Sequence, residues 1–173
     1  MTSVQYRQYV IIDTNIAKSH NEPARNDTSL DCLLLLNALQ DGSCKVGVVT
    51  SPELEAEWTK HASRAFNRWW ASMESRRRIR HIEDRRVADY RNAIKKLDDA
   101  GIKAAMEKDA FLVELAILHW FAVASRDDRQ RKYVVKLGAD YEVLQKVQWF
   151  NPSEQWVDWL RGGCTDSTLF QCN

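Results

Sequence analysis

Hydrophobic positions along this chain alternate between two periods. The short apolar run Tyr9-Val10-Ile11-Ile12 and the stretch KVGVVT, 45 to 50, predict strands covered on both faces, as in a parallel sheet. Between them LDCLLLLNALQ, 30 to 40, predicts a helix capped by Thr28 or Ser29 and closed at Asp41-Gly42. The second strand runs into Ser51-Pro52-Glu53, a cap residue, a proline at the first helical position and an acid in the first turn, so a long helix is expected there. From 52 to about 108 the pattern stays helical and strongly charged, with no proline after Pro52 and one glycine, Gly101. Trp58, Ala62, Ala65, Phe66, Trp69, Trp70 and Met73 recur at three- and four-residue steps, the stripe of a helix packed on a core.

The second half repeats the alternation. DAFLVELAILHW, 109 to 120, is apolar nearly all round and predicts a buried helix, followed by a strand in FAVAS, 121 to 125. A helix from about 127 to 137 then leads to a last strand, VQWF, stopped by Asn151-Pro152. Strands alternating with helices imply an α/β fold around a mainly parallel sheet, whose ligand sites lie beyond the carboxyl ends of the strands. Residues 1–152 read as one domain. Residues 153–173 read as a short helix carrying Trp156 and Trp159, ended by Gly162-Gly163, and a loose tail.

Composition narrows the setting. At 173 residues and 45% hydrophobic side chains, the chain is long enough for one full core. It has no apolar run of membrane-spanning length, and MTSVQYRQ lacks the order of a secretory signal, so a soluble cytoplasmic protein without membrane contact is expected. Cys32, Cys44, Cys164 and Cys172 show no CxxC spacing, which argues against zinc. Reduced thiols are the plainer reading, with a Cys164–Cys172 disulfide as the alternative.

Charge changes the picture more. The net charge is +1, yet residues 60 to 96 hold twelve Lys/Arg against four Asp/Glu, a local +8 that leaves −7 for the remainder. The centre of this basic stretch is ESRRRIRHIEDRR, 74 to 86, where Arg76, Arg77, Arg78 and Arg80 are candidates for RNA phosphate binding. A solvated helix face with internal ion pairs is the simpler account of such a run. His61, His81 and His119 have neither metal spacing nor a paired nucleophile, and are not expected to be catalytic.

Four acids occupy the ends of elements. Asp13 leaves the first strand, Glu57 lies about one and a half turns into the helix after the second, Asp109 opens the buried helix and Asp127 leaves FAVAS. Each alone has an ordinary account as a cap, a turn residue or a solvated acid. Gathered at one sheet edge they would repel one another, and a divalent cation would relieve that repulsion. Oxygen ligands suit Mg²⁺ or Mn²⁺, and the chemistry implied is metal-assisted hydrolysis of a phosphodiester.

The ordered set VIIDTN, SPELEAEW, KDAFLVELAI, VASRDD and VQWFNP resembles the PIN-domain nucleases over roughly residues 8 to 151, with 60 to 105 too generic to align. The resemblance implies a three-layer α/β/α fold and a metal-dependent endoribonuclease acting on single-stranded RNA. It implies Asp13, Glu57, Asp109 and Asp127 as catalytic metal ligands for Mg²⁺ or Mn²⁺, supported by Asn15 and Ser125. Glu53 shares a helix face with Glu57 and is the alternative ligand there, while Asp128 is the alternative to Asp127. Family members include toxins held by an antitoxin, as well as RNA-processing and defence nucleases. Dimers are common among them, and exposed tryptophan helices offer this chain a surface for one.

Two other readings compete. A PIN-like module that binds nucleic acid or protein without turnover keeps the fold and loses the chemistry. A haloacid-dehalogenase-like phosphatase shares the strand-end aspartate, but wants a second aspartate where Asn15 stands.

Overall fold

The computed structural model describes residues 8–21, 23–164 and 170–173. Five strands, β1 (Tyr9–Ile12), β2 (Gly47–Thr50), β3 (Ile79–His81), β4 (Ala122–Ala124) and β5 (Trp149–Phe150), form one sheet in the order β3-β2-β1-β4-β5. All four pairings are parallel, with Val10 opposite Val48 on one side and Ala122 on the other. The chain steps from β1 outward to β3, then crosses back to β4 and on to β5. Right-handed crossovers therefore send the helices before and after that reversal to opposite faces, consistent with a three-layer α/β/α arrangement.

Nine α-helices are found among the described residues. They are α1 (Thr14–Ser19), α2 (Asp27–Gln40), α3 (Pro52–His61), α4 (Arg64–Ser75), α5 (Ala88–Lys95), α6 (Ala100–Lys108), α7 (Ala110–His119), α8 (Asp128–Leu137) and α9 (Val157–Arg161). A 3₁₀ turn spans Glu142–Lys146. No helix among these residues is long and apolar enough to cross a membrane.

Several boundaries move, each for a local reason. Helix α2 starts earlier than expected because Asn26, not Thr28 or Ser29, is its cap. The Asn26 side chain accepts from the Ser29 amide while the Ser29 hydroxyl accepts from the Asn26 amide, a reciprocal capping box. Ser51 caps α3 as expected.

The single long helical segment expected over 52–108 is instead four helices and a strand. The break after α3 falls at Ser63, whose amide donates to the Ala17 carbonyl, whose hydroxyl donates to the His20 carbonyl and whose oxygen caps α4. Helix α4 ends at Arg77, which takes a left-handed φ of 55°, and the chain turns into β3. That strand escaped the sequence pattern because it lies at the sheet edge, where Ile79 is buried and Arg80 and His81 are exposed, so it reads as charge.

The aromatic stripe packs as expected. Trp58, Phe66, Trp69 and Met73 are buried; the Trp58 indole donates to the Ile12 carbonyl at 2.9 Å and that of Trp69 to the Leu36 carbonyl at 2.8 Å. Trp156 is also buried, and the partly buried Trp159 packs edge-on against Phe150 and at a tilt against Phe170. The tail is not uniformly loose. Phe170 and Cys172 are buried and the Cys172 amide donates to the Val147 carbonyl, while 165–169 lie outside the described residues. All four cysteines are free.

A buried ion pair ties α5 to α7. The Glu114 carboxylate, almost wholly enclosed, accepts from Arg91 Nε at 2.7 Å, from Arg91 Nη2 at 2.8 Å and from the Val87 amide at 3.0 Å. Arg91→Met leaves that carboxylate only the Val87 amide and the exposed Arg86, 3.8 Å away, and we expect a loss of about 3 kcal/mol in urea unfolding, whereas Arg91→Met with Glu114→Leu recovers most of it.

Candidate active site

The sheet reverses its winding between β1 and β4, which opens a crevice at the carboxyl ends of those two strands. Their pairing sets the site. Ile12 lies opposite Ala124 and the Asp13 amide donates to the Ala124 carbonyl at 2.9 Å, so Asp13 and Ser125 leave the sheet side by side. Ser125 Oγ donates to Asp13 Oδ2 at 2.6 Å and Asn15 Nδ2 donates to the same oxygen at 2.9 Å. Asn15 Oδ1 in turn accepts from the Arg126 amide, and Ser125 Oγ accepts from the Asp127 amide. Asn15 and Ser125 thus hold both the Asp13 carboxylate and the loop that carries Asp127.

A cleft of about 340 Å³ opens over this network, lined by Asp13, Asn15, Glu53, Glu57, Asp109 and Asp127 among others. The four proposed acids come from four elements. Asp13 precedes α1 without capping it, Glu57 projects from α3, and Asp109 sits at the junction of α6 and α7, also with no side-chain capping bond. The cap account therefore fails for Asp13 and Asp109. It holds for Asp127, whose Oδ1 accepts from the Gln130 amide at the start of α8.

Burial and neighbouring charges act on two of these acids. Burial, with a contribution from the Asp109 charge, pushes the Asp13 carboxyl up to about 6, although the Ser125 hydroxyl and the Thr14 and Asn15 amides pull the other way. Asp109 is raised first by burial and then by Asp127 and Glu57, with Lys108 opposing. No three of these acids bring ligand oxygens within 4.8 Å of one another: among the described residues, the three side chains that do so are Glu55, Glu74 and His81. In that cluster His81 Nδ1 faces Glu55 at 2.8 Å and Nε2 faces Glu74 at 3.0 Å. The ring bridges two carboxylates through different nitrogens, the geometry of a protonated clamp between α3, α4 and β3.

The alternatives separate. Glu53 lines the cleft, yet its Oε2 lies 3.7 Å from Arg86 Nη1 and its amide donates to Asp84, while Glu57 faces Asp109 and lies 3.7 Å from His61. Asp128 points away from the cleft and accepts from Asn151 Nδ2. The four arginines before and within β3 are not beside the acids. Arg76, Arg77 and Arg78 precede a parallel strand and so lie at the opposite edge of the sheet, and Arg80 stacks over Tyr9 at the start of β1. Arg76 donates to the Gln40 carbonyl, and Arg78 donates to those of Asp41, Cys44 and Val46.

Other cations border the acids instead. Lys18 and Lys108 line the cleft, and a contiguous groove of about 830 Å³ adds Arg126, Arg129 and Tyr133. Lys18, Lys108 and the pair Arg126 and Arg129 come from three distant segments, so no one run of the sequence announced the set. Arg126 is anchored by a short bond to Ser19 Oγ. Comparison with known proteins finds no matching family model, no matching curated protein and no matching solved structure.

Because the Asp13 pKa is higher folded than unfolded, the unfolded chain releases the proton first. Without divalent cations, stability should fall as pH rises from about 4 to about 6 and stay low above that. Asp13→Asn is expected to flatten that slope and to stabilise the protein at pH 7 by roughly 1–2 kcal/mol, measured by thermal unfolding across pH.

Proposed function

We propose that this chain is a PIN-like, metal-dependent endoribonuclease that hydrolyses phosphodiester bonds of single-stranded RNA at the Asp13–Glu57–Asp109–Asp127 cleft. The observation that carries the reading is the convergence of these four acids on one cleft at the switch point of a parallel sheet, where burial and neighbouring acids raise the pKa of Asp13 and Asp109. A chain that folds with such charge density gains from a cation there. The donor set is all oxygen, and carboxylates of which no three close to within 4.8 Å suit a small hard ion that keeps part of its water shell. Asp13, Glu57, Asp109 and Asp127 would hold Mg²⁺ or Mn²⁺, which when bound supplies Lewis-acid stabilisation of phosphoryl oxygens and acidifies water.

The chain's own residues do the rest. Ser125 and Asn15 fix the Asp13 carboxylate in one orientation, so its negative charge stands ready before substrate arrives. Lys18, Lys108, Arg126 and Arg129 flank the acids and neutralise phosphates on either side of the scissile bond. Tyr133 offers a ring for an unstacked base, which favours single strands over duplex. Nothing in the site requires a covalent enzyme intermediate. The separation of the acids supports a second reading, a PIN-like module that binds RNA without cutting it.

The two part on cleavage of a pool of single-stranded RNAs with Mn²⁺. Cleavage that stops with EDTA and with Asp13→Asn supports the nuclease. Ser125→Ala should retain the fold and lose about 10–100-fold in rate. Cleavage that persists through both EDTA and Asp13→Asn overturns the proposal, and RNA binding indifferent to Mn²⁺ with no products favours the binding module.

A further inference from the structure

At the amino edge of the sheet, where β1, β2 and β3 begin, a hollow of about 280 Å³ is walled by Lys45, Arg77, Arg78 and Arg80, with Tyr9 and Gly47 among its other lining residues and no carboxylate in its lining. Arg78 is engaged with the carbonyls of Asp41, Cys44 and Val46, which pins the loop carrying Lys45 onto β3. Among the described residues Lys45, Arg77 and Arg80 have no ion-pair partner. Three unpaired cations around one small hollow repel one another, and an anion relieves that cost as a cation relieves the acids at the other edge.

The hollow is also built. Tyr9 lays its ring across Gly47, where an added Cβ would come within 2.9 Å of Tyr9 Cε1, and the Arg80 guanidinium lies 5.5 Å from the Tyr9 ring centroid. A planar guanidinium held on an aromatic ring keeps its donor fork oriented, and that fork matches the oxygens of a phosphate. Arg77 is presented by the left-handed turn that ends α4.

We propose that this hollow binds a phosphate group. Its size admits a phosphate with an attached sugar and falls below the usual range for larger ligands. The four-residue step from Tyr9 to Asp13 puts it about 13 Å from the acids along β1, so it is separate from the cleft and stands whether or not that cleft cuts RNA. The phosphate comes either from the end of an oligonucleotide or from a free phosphorylated small molecule, since both present the same oxygens.

Calorimetric titration of the full chain, without divalent cations, uses pyrophosphate and a short oligonucleotide in 5′-phosphorylated and 5′-hydroxyl forms. Pyrophosphate should bind with a salt-sensitive affinity that falls at least roughly tenfold in Arg77→Gly with Arg80→Gln, and is unchanged in the surface variant Lys136→Gln. Glycine is at ease at φ 55°, so the double variant should keep its fold, checked by far-UV circular dichroism; Arg80→Gln alone gives the same readout if it does not. A preference for the 5′-phosphorylated oligonucleotide over both its hydroxyl form and pyrophosphate assigns the site to nucleic-acid ends. Equal binding of pyrophosphate and the phosphorylated oligonucleotide assigns it to small phosphorylated ligands. Absence of pyrophosphate binding at millimolar concentration, or binding that survives in the arginine variants, overturns the proposal.

Discussion

The parallel register of β1 on β4 is the constraint on which the site depends. Once Ile12 pairs with Ala124, Asp13 and Ser125 must leave the sheet together, and the 2.6 Å bond between them follows from sheet geometry alone. The register is secure because both strands are buried on each face by Val10, Ile11, Ile12, Ala122, Val123 and Ala124, and a slip by one residue would drive polar groups into that core. Trp58 adds a second tie, bonding α3 to the carbonyl that precedes Asp13. The acid on α3 therefore inherits its position from the same strand end.

Much of this was legible in the sequence, and for a common reason. Apolar runs such as YVII and FAVAS mark fully buried strands without ambiguity, and Ser51-Pro52 marks a helix start by local chemistry. The acids were legible because strand ends and helix starts can be located from pattern alone. What stayed hidden depended on tertiary contact. The edge strand β3 exposes two successive polar residues, Arg80 and His81, and its paired neighbour Val48–Val49 is far off in sequence, so IRH looked like the continuation of a charged helix. The cations beside the acids were missed because they belong to distant segments, and Lys18, Lys108 and Arg129 meet only when α1, α6 and α8 are assembled.

Polarity of charge follows from this arrangement. Acids gather at the carboxyl edge of the sheet and unpaired cations at its amino edge, about one strand length apart. The near-neutral net charge conceals this separation of an acid-rich cleft from a basic hollow.

The edges of the sheet carry a further consequence. An open parallel sheet leaves backbone donors and acceptors at both margins, a template for intermolecular pairing. Here one margin is β3, three residues long and bearing Arg80. The other, beside β5, is covered where Gln171 bridges Gln148 and Cys172 bonds to Val147. Short length and charge protect the first margin and a returning segment protects the second. The last few described residues thus act as a shield that keeps one molecule's sheet from extending into the next.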